Sequence, residues 1–97
     1  MKQFTFNGEQ VTLQPNQYRN NNSLAVCLCS PDGELYDVVT VNLNSPMQSD
    51  SMAFLDENNY PGIGNWMQEN GLALPMYVTE RSGFCTYPLY TIFPEKF

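Results

Sequence analysis

The sequence predicts an α+β fold: an antiparallel β-sheet of about five to seven strands with one short helix packed on a face. Three observations lead there. Short runs with period-two alternation recur, separated by turn sequences such as Asn7-Gly8 and Pro31-Asp32-Gly33. Only one segment, near Pro61 to Asn70, carries apolar residues at helical spacing. The order of elements is hairpin, hairpin, short strand, helix, hairpin. Closure of the sheet into a small barrel stays open at this level. The 97 residues make a single domain, 1–97, without repeats or linkers.

The first hairpin pairs Phe4 and Phe6 with Val11 and Leu13 across Asn7-Gly8, the pair best suited to two positive-φ turn positions. Pro15 is expected to end the second strand. Gln14 to Ser23 is rich in Asn and Gln and reads as a loop at Asn20-Asn21-Asn22-Ser23, with Tyr18 and Arg19 able to extend a strand before it. The central hairpin joins Leu24–Cys29 to a return strand over Leu35–Leu43 through Ser30-Pro31-Asp32-Gly33. Both faces of Leu24–Cys29 are apolar, so that strand should be covered on both sides. In the return strand Leu35, Val39, Val41 and Leu43 share a face by period two, and Asp37 falls on it too. Asp37 therefore implies an edge or a bulge.

Asn44 to Ser51 is a polar loop, and Met52-Ala53-Phe54-Leu55 is a short buried strand. Asn58 or Asn59 can cap the helix, with Pro61 in its first turn. Ile63, Trp66 and Met67 form its apolar stripe. Asn70-Gly71 ends it, with Leu72 folding back on Met67. Gly62 and Gly64 weaken this helix by about 1 kcal/mol each relative to Ala. A helix of about ten residues is unstable alone, so Trp66 should anchor it to the sheet. Met76–Thr79 and Phe84–Phe93 form the last hairpin around Glu80-Arg81-Ser82-Gly83. Pro88 inside it implies a bulge, a break or an edge. Phe84 and Phe93 are expected in the core, and Tyr87 and Tyr90 at the surface.

Charge narrows the function classes. From Asn20 through Glu80 there is no Lys, Arg or His, while eight carboxylates occur there. The chain has no histidine and a net charge of −6. Histidine is the usual general base and the commonest metal ligand. Phosphate contacts need clustered Lys and Arg, so direct nucleic-acid binding is not expected. A basic surface is the electrostatic complement of this chain. Charged residues are only 14% of the chain, so Asn, Gln, Ser and Thr must build the polar surface. No apolar run resembles a signal peptide or reaches the roughly 20 residues needed to span a bilayer. The expected location is the cytoplasm, without membrane contact, as a monomer or small homo-oligomer.

Few constellations carry chemistry. Cys27 and Cys29 share a strand face about 6.6 Å apart and could join Cys85 at a metal. Structural zinc favours Cys-x-x-Cys and a fourth ligand, which is missing. Buried cysteines in a reducing compartment are the plainer reading of an odd count. A cysteine nucleophile would need a base or a helix N-terminus beside it. Asp56-Glu57 precede the helix, where exposed N–H groups stabilise acids. A glycosidase-type pair would need a large cleft. Pro61-Gly62-Ile63-Gly64 lacks the Lys and third Gly of a phosphate loop. The aromatic run Tyr77, Phe84, Tyr87, Tyr90, Phe93 and Phe97 lacks a cationic track for bases. Tyrosines next to Met and Asn suit a protein interface.

The segments "NNYPGIGNWMQENGLALP" and "TERSGFCTYPLYTI", with "VTVNL" at the end of the central hairpin, resemble a family of short bacterial proteins of unknown function, family 4313. The resemblance covers the chain from the central hairpin onward, and "ENGL" and "RSGFCTYPLY" are its most specific parts. It implies an accessory protein of a mobile genetic element, plasmid or phage, with no catalytic residues and no cofactor to carry over. Arg81, Ser82, Gly83 and Tyr87 lie in the segment it marks as a surface. With Tyr90, Asp56 and Glu57 they form the expected interaction surface. The expected function is that of a non-enzymatic acidic protein that binds a protein partner and inhibits a host or rival system. The rival reading is a small-molecule or metal-binding module centred on Cys27, Cys29 and Cys85.

Overall fold

The computed structural model describes residues 2–97 and shows two four-stranded antiparallel sheets with one helix. The first sheet runs β1-β2-β3-β4, formed by Phe4–Phe6, Glu9–Gln17, Leu24–Cys29 and Leu35–Val38. The second runs β5-β6-β8-β7, formed by Thr40–Val41, Met52–Leu55, Cys85–Ile92 and Ala73–Ser82. The fold is α+β and antiparallel, and neither sheet closes into a barrel.

The step between the sheets lies inside the expected return strand. Leu35–Val38 pairs with β3, and Thr40–Val41 pairs with β6 instead. Val39 joins the two, donating its N–H to Val26 and accepting from Asp56. One apolar run therefore serves both sheets, and the strand count rises to eight. The bulge implied by Asp37 is present: Leu28 faces Asp37 and Cys29 faces Leu35, so Tyr36 has no partner. β4 is also an edge, and Leu35 is exposed rather than buried with Val39.

Asn7 and Gly8 both hold positive φ, as a type I′ turn requires. Pro15 does not end β2. β1 pairs with β2 only as far as Val11, so the outer edge of β2 beyond it needs no N–H from Pro15. The strand continues to Gln17, and the turn lies at residues 19–21. All six residues of β3 are buried, as its two apolar faces predict. Amide side chains stitch the loops above it. Asn21 donates to Asn42 and Asn44, Asn42 donates to Asn20, and buried Gln48 bridges Leu43 and Val41.

Helix α1 spans Ile63–Glu69, seven residues, shorter than expected. Gly62 precedes it in a left-handed conformation, and neither Asn58 nor Asn59 caps it. Glu57 does that work: its two oxygens accept the N–H groups of Gly62 and Gly64 at 2.8 and 2.7 Å. A charged acceptor serves these orphan donors better than an amide. At the other end Gly71 is left-handed, Leu72 N–H bonds Met67 and Gly71 N–H bonds Gln68, the Schellman pattern. Ile63 and Met67 are fully buried in the core shared with Val11, Leu13, Val26, Leu55 and Ile92. Trp66 is half-buried and clamps the helix to the first hairpin. Its ring lies 4.9 Å from Phe6 and 6.1 Å from Phe4, and Nε1 donates to Thr5 at 2.7 Å.

Candidate functional site

The last hairpin is longer than expected, Ala73–Ser82 against Cys85–Ile92. β6 pairs with β8 only at Leu89, Tyr90 and Thr91. Beyond Leu89 the hairpin is a free two-stranded arm with four rungs, from Thr79 opposite Pro88 to Ser82 opposite Cys85. Three strand rises give it a reach of about 10 Å. Gly83 alone supplies the positive φ of the tip, the signature of a type II′ turn. Arg81 Nε donates to the Gly83 carbonyl at 3.1 Å and steadies that turn.

Phe84 sits at the tip and is 100% exposed. The expectation of Phe84 in the core is overturned because a turn residue at the end of a free arm has nothing above it. A second irregularity lies at the arm's base. Pro75 faces Tyr90 and Thr79 faces Pro88, so Met76, Tyr77 and Val78 bulge opposite Leu89 alone. Pro88 has no N–H to offer on its β6 side, and the β6–β8 ladder ends at Leu89. Tyr77 takes the left-handed conformation at φ 58° and is 91% exposed. A bulky residue in that region is strained, and such strain collects at functional sites. Under the bulge, Asn65 and Gln68 of the helix face Tyr77, Val78 and Pro88 across a cavity of about 410 Å³.

The seven expected surface residues divide into two groups. Arg81, Ser82 and Gly83 are exposed on the arm, and half-buried Tyr87 joins them opposite Glu80. The neighbouring Cys85 side chain pushes the Tyr87 phenol up from its usual value. Glu80 Oε2 is buried without a hydrogen-bond partner among the described residues. Tyr90, Asp56 and Glu57 do not belong to this surface. Tyr90 is only 8% exposed, paired with Ala53 and Pro75 under Gly64. Burial, then the Glu57 charge, pushes its phenol up. Asp56 is buried and turns the chain by accepting the backbone and side-chain N–H groups of Asn59. Glu57 caps the helix, the role its place before an N-terminus suggested.

The cysteines are free and do not converge. Cys27 and Cys29 are buried in the first sheet, while Cys85 lies at the end of the arm in the second. Burial raises the Cys27 thiol, which disfavours the reactive thiolate. Among the described residues no three His, Cys, Asp or Glu side chains are placed to hold a metal ion. No helix among the described residues is long and apolar enough to cross a membrane.

Comparison with protein families matches residues 12–96 to the family described as Domain of unknown function (DUF4313). The chain belongs to the DUF4313 family. The match takes in both sheets from Thr12 onward, the helix and the whole arm, and omits β1 and the first turn. No curated protein and no solved structure matches the chain.

The sequence offered one missed signal. Phe84 follows a glycine between two strands, and the second central residue of a two-residue turn points to solvent whatever its hydrophobicity. Tyr77 had none, because its conformation depends on the bulge that the pairing of β7 with β8 leaves opposite Leu89.

Proposed function

We propose that this DUF4313 protein is a non-enzymatic accessory protein of a mobile genetic element. It acts in the cytoplasm by binding another protein through the β7–β8 arm, and thereby inhibits a host or rival system. The observation that carries the reading is Phe84, wholly exposed at the tip of an arm that no third strand supports. A two-stranded ribbon is marginal by itself, and an aromatic at its end adds nothing to the core. Large aromatics in solvent are the usual anchors of protein interfaces. Tyr77 at the base and half-buried Tyr87 extend the same surface with apolar area. The net charge of −6 supports a basic partner. The mobile-element origin rests on the resemblance of the "RSGFCTYPLY" segment and its relatives.

The test is capture from the native host with wild-type protein and with Phe84→Ser as parallel baits. Phe84 touches nothing, so the variant should unfold at the same urea concentration as wild type. The expected result is one protein held by wild type and lost by Phe84→Ser and by Tyr77→Ser. A partner held equally by all three refutes the arm as its binding surface.

A further inference from the structure

Beside the first sheet lies a small cage. Its walls are the rings of Phe6, Tyr36 and Tyr60, its floor is the buried pair Val11 and Leu28, and Glu9 stands at its rim. Its volume is about 280 Å³, and it is open to solvent. None of the wall residues is basic.

The cage is held in shape by features already described. The bulge opposite Cys29 leaves Tyr36 unpaired, which allows Tyr36 and the next residue Asp37 to face the same neighbour, Tyr60. The Tyr60 hydroxyl donates to Asp37 Oδ2, and Asp37 Oδ1 accepts the Val38 N–H at 2.7 Å. Phe6 is fixed from behind by Trp66 at 4.9 Å and from the side by Tyr60 at 6.4 Å. Tyr36 is 52% exposed and lines the open side of the cage.

Aromatic faces with a carboxylate at the rim and an apolar floor match one chemistry: an organic cation on an alkyl stem. We propose that this cage binds a lysine side chain of a basic protein partner, with the stem along Val11 and Leu28 and the ammonium between the rings and Glu9. Lysine is the committed occupant because its long apolar stem ends in a compact charge that sits over ring faces, whereas a guanidinium would be drawn off the rings into a two-pronged pair with Glu9. The negative net charge of the chain draws such a partner in. The proposal rests on the reading of this chain as a protein-binding module. It adds a second contact, partly built from Phe6, Glu9 and Val11, outside the segment that defines the family.

The experiment titrates the full chain with a short peptide carrying one lysine among glycines and serines. Trp66, the single tryptophan, reports by fluorescence because its ring packs on Phe6. Ring proton shifts of Tyr36 and Tyr60 report in parallel. Saturable binding is expected, weakened by salt and abolished when the lysine is acetylated. Tyr36→Ala should weaken it about tenfold, and Tyr36→Phe, which keeps the ring, should leave it nearly intact. Glu9→Gln should weaken it several-fold. Equal binding of the acetylated peptide, tighter binding of the arginine peptide, or no saturable signal would overturn the proposal. The two readings separate cleanly. A partner captured through Phe84 while the lysine peptide fails to bind removes the cage and leaves the arm. Lysine binding that survives while Phe84→Ser still holds the partner removes the arm and leaves the cage.

Discussion

Gly64→Ala sets two effects of opposite sign against each other. Gly64 is the second residue of α1 with an ordinary helical neighbourhood, so alanine should gain up to about 1 kcal/mol in helix propensity. Packing opposes this. A Cβ at position 64 would lie 2.6 Å from Tyr90 Cζ and 2.9 Å from Glu57 Oε2, against about 3.5–4.0 Å for comfortable carbon contact. Neither neighbour yields easily. Tyr90 is buried in β8 between Ala53 and Pro75, and Glu57 is tied to two backbone N–H groups. Overpacking of this kind costs about 1–3 kcal/mol, and displacing Glu57 forfeits a charged hydrogen bond of about 1.5–3 kcal/mol. The net expectation is a loss of about 2–4 kcal/mol, or roughly 10–30 °C in Tm for a domain of this size. Urea and thermal unfolding measure it. Tyr90→Phe removes the hydroxyl that meets the new Cβ first, so in its background Gly64→Ala should cost visibly less. A stabilising Gly64→Ala, or a cost unchanged by Tyr90→Phe, would refute the close-approach argument.

Three further outcomes are expected. Trp66→Ala should lose about 2–4 kcal/mol in urea unfolding, from two ring contacts and the bond to Thr5; a loss under about 1 kcal/mol would mean the helix does not depend on this clamp. The Tyr60 phenol is pushed up from 10.0 to about 12, by burial first and then by its bond to Asp37. The folded state thus holds the proton more tightly, stability is complete below pH 10.0, and it should fall as pH rises toward about 12. Tyr18 and Tyr90 shift in the same direction and steepen the fall; flat urea midpoints across that window would contradict the packing of these rings. Finally, labelled DNA and RNA should not bind at low salt, since Lys2, Arg19, Arg81 and Lys96 are the only cations in the chain; micromolar binding that weakens steeply with salt would show a composite basic groove.

What the amino acids determined alone is mostly local. Asn7-Gly8 sets a hairpin because few other pairs accept two positive φ angles. Leu24–Cys29 reads as a doubly covered strand because neither face is polar. Asn70-Gly71-Leu72 closes a helix because glycine alone takes that left-handed position cheaply. Asp37 announced its bulge by interrupting an apolar face, and Glu57, an acid placed before the helix, was legible as a partner for its exposed N–H groups. Such signals act between residues a few positions apart, so composition and spacing carry them.

The tertiary structure decided everything that depends on which strand lies beside which. Pro15 is tolerated because β1 stops short of it, and Tyr77 is pushed out by the bulge in β7 opposite Leu89. Tyr90 lies inside and Phe84 outside because β6 reaches Leu89 and no further, leaving the rest of the last hairpin uncovered. The cage joins Phe6, Tyr36 and Tyr60 from three distant segments. No local pattern encodes those neighbours, because a strand's exposure is set by its pairing and not by its own residues.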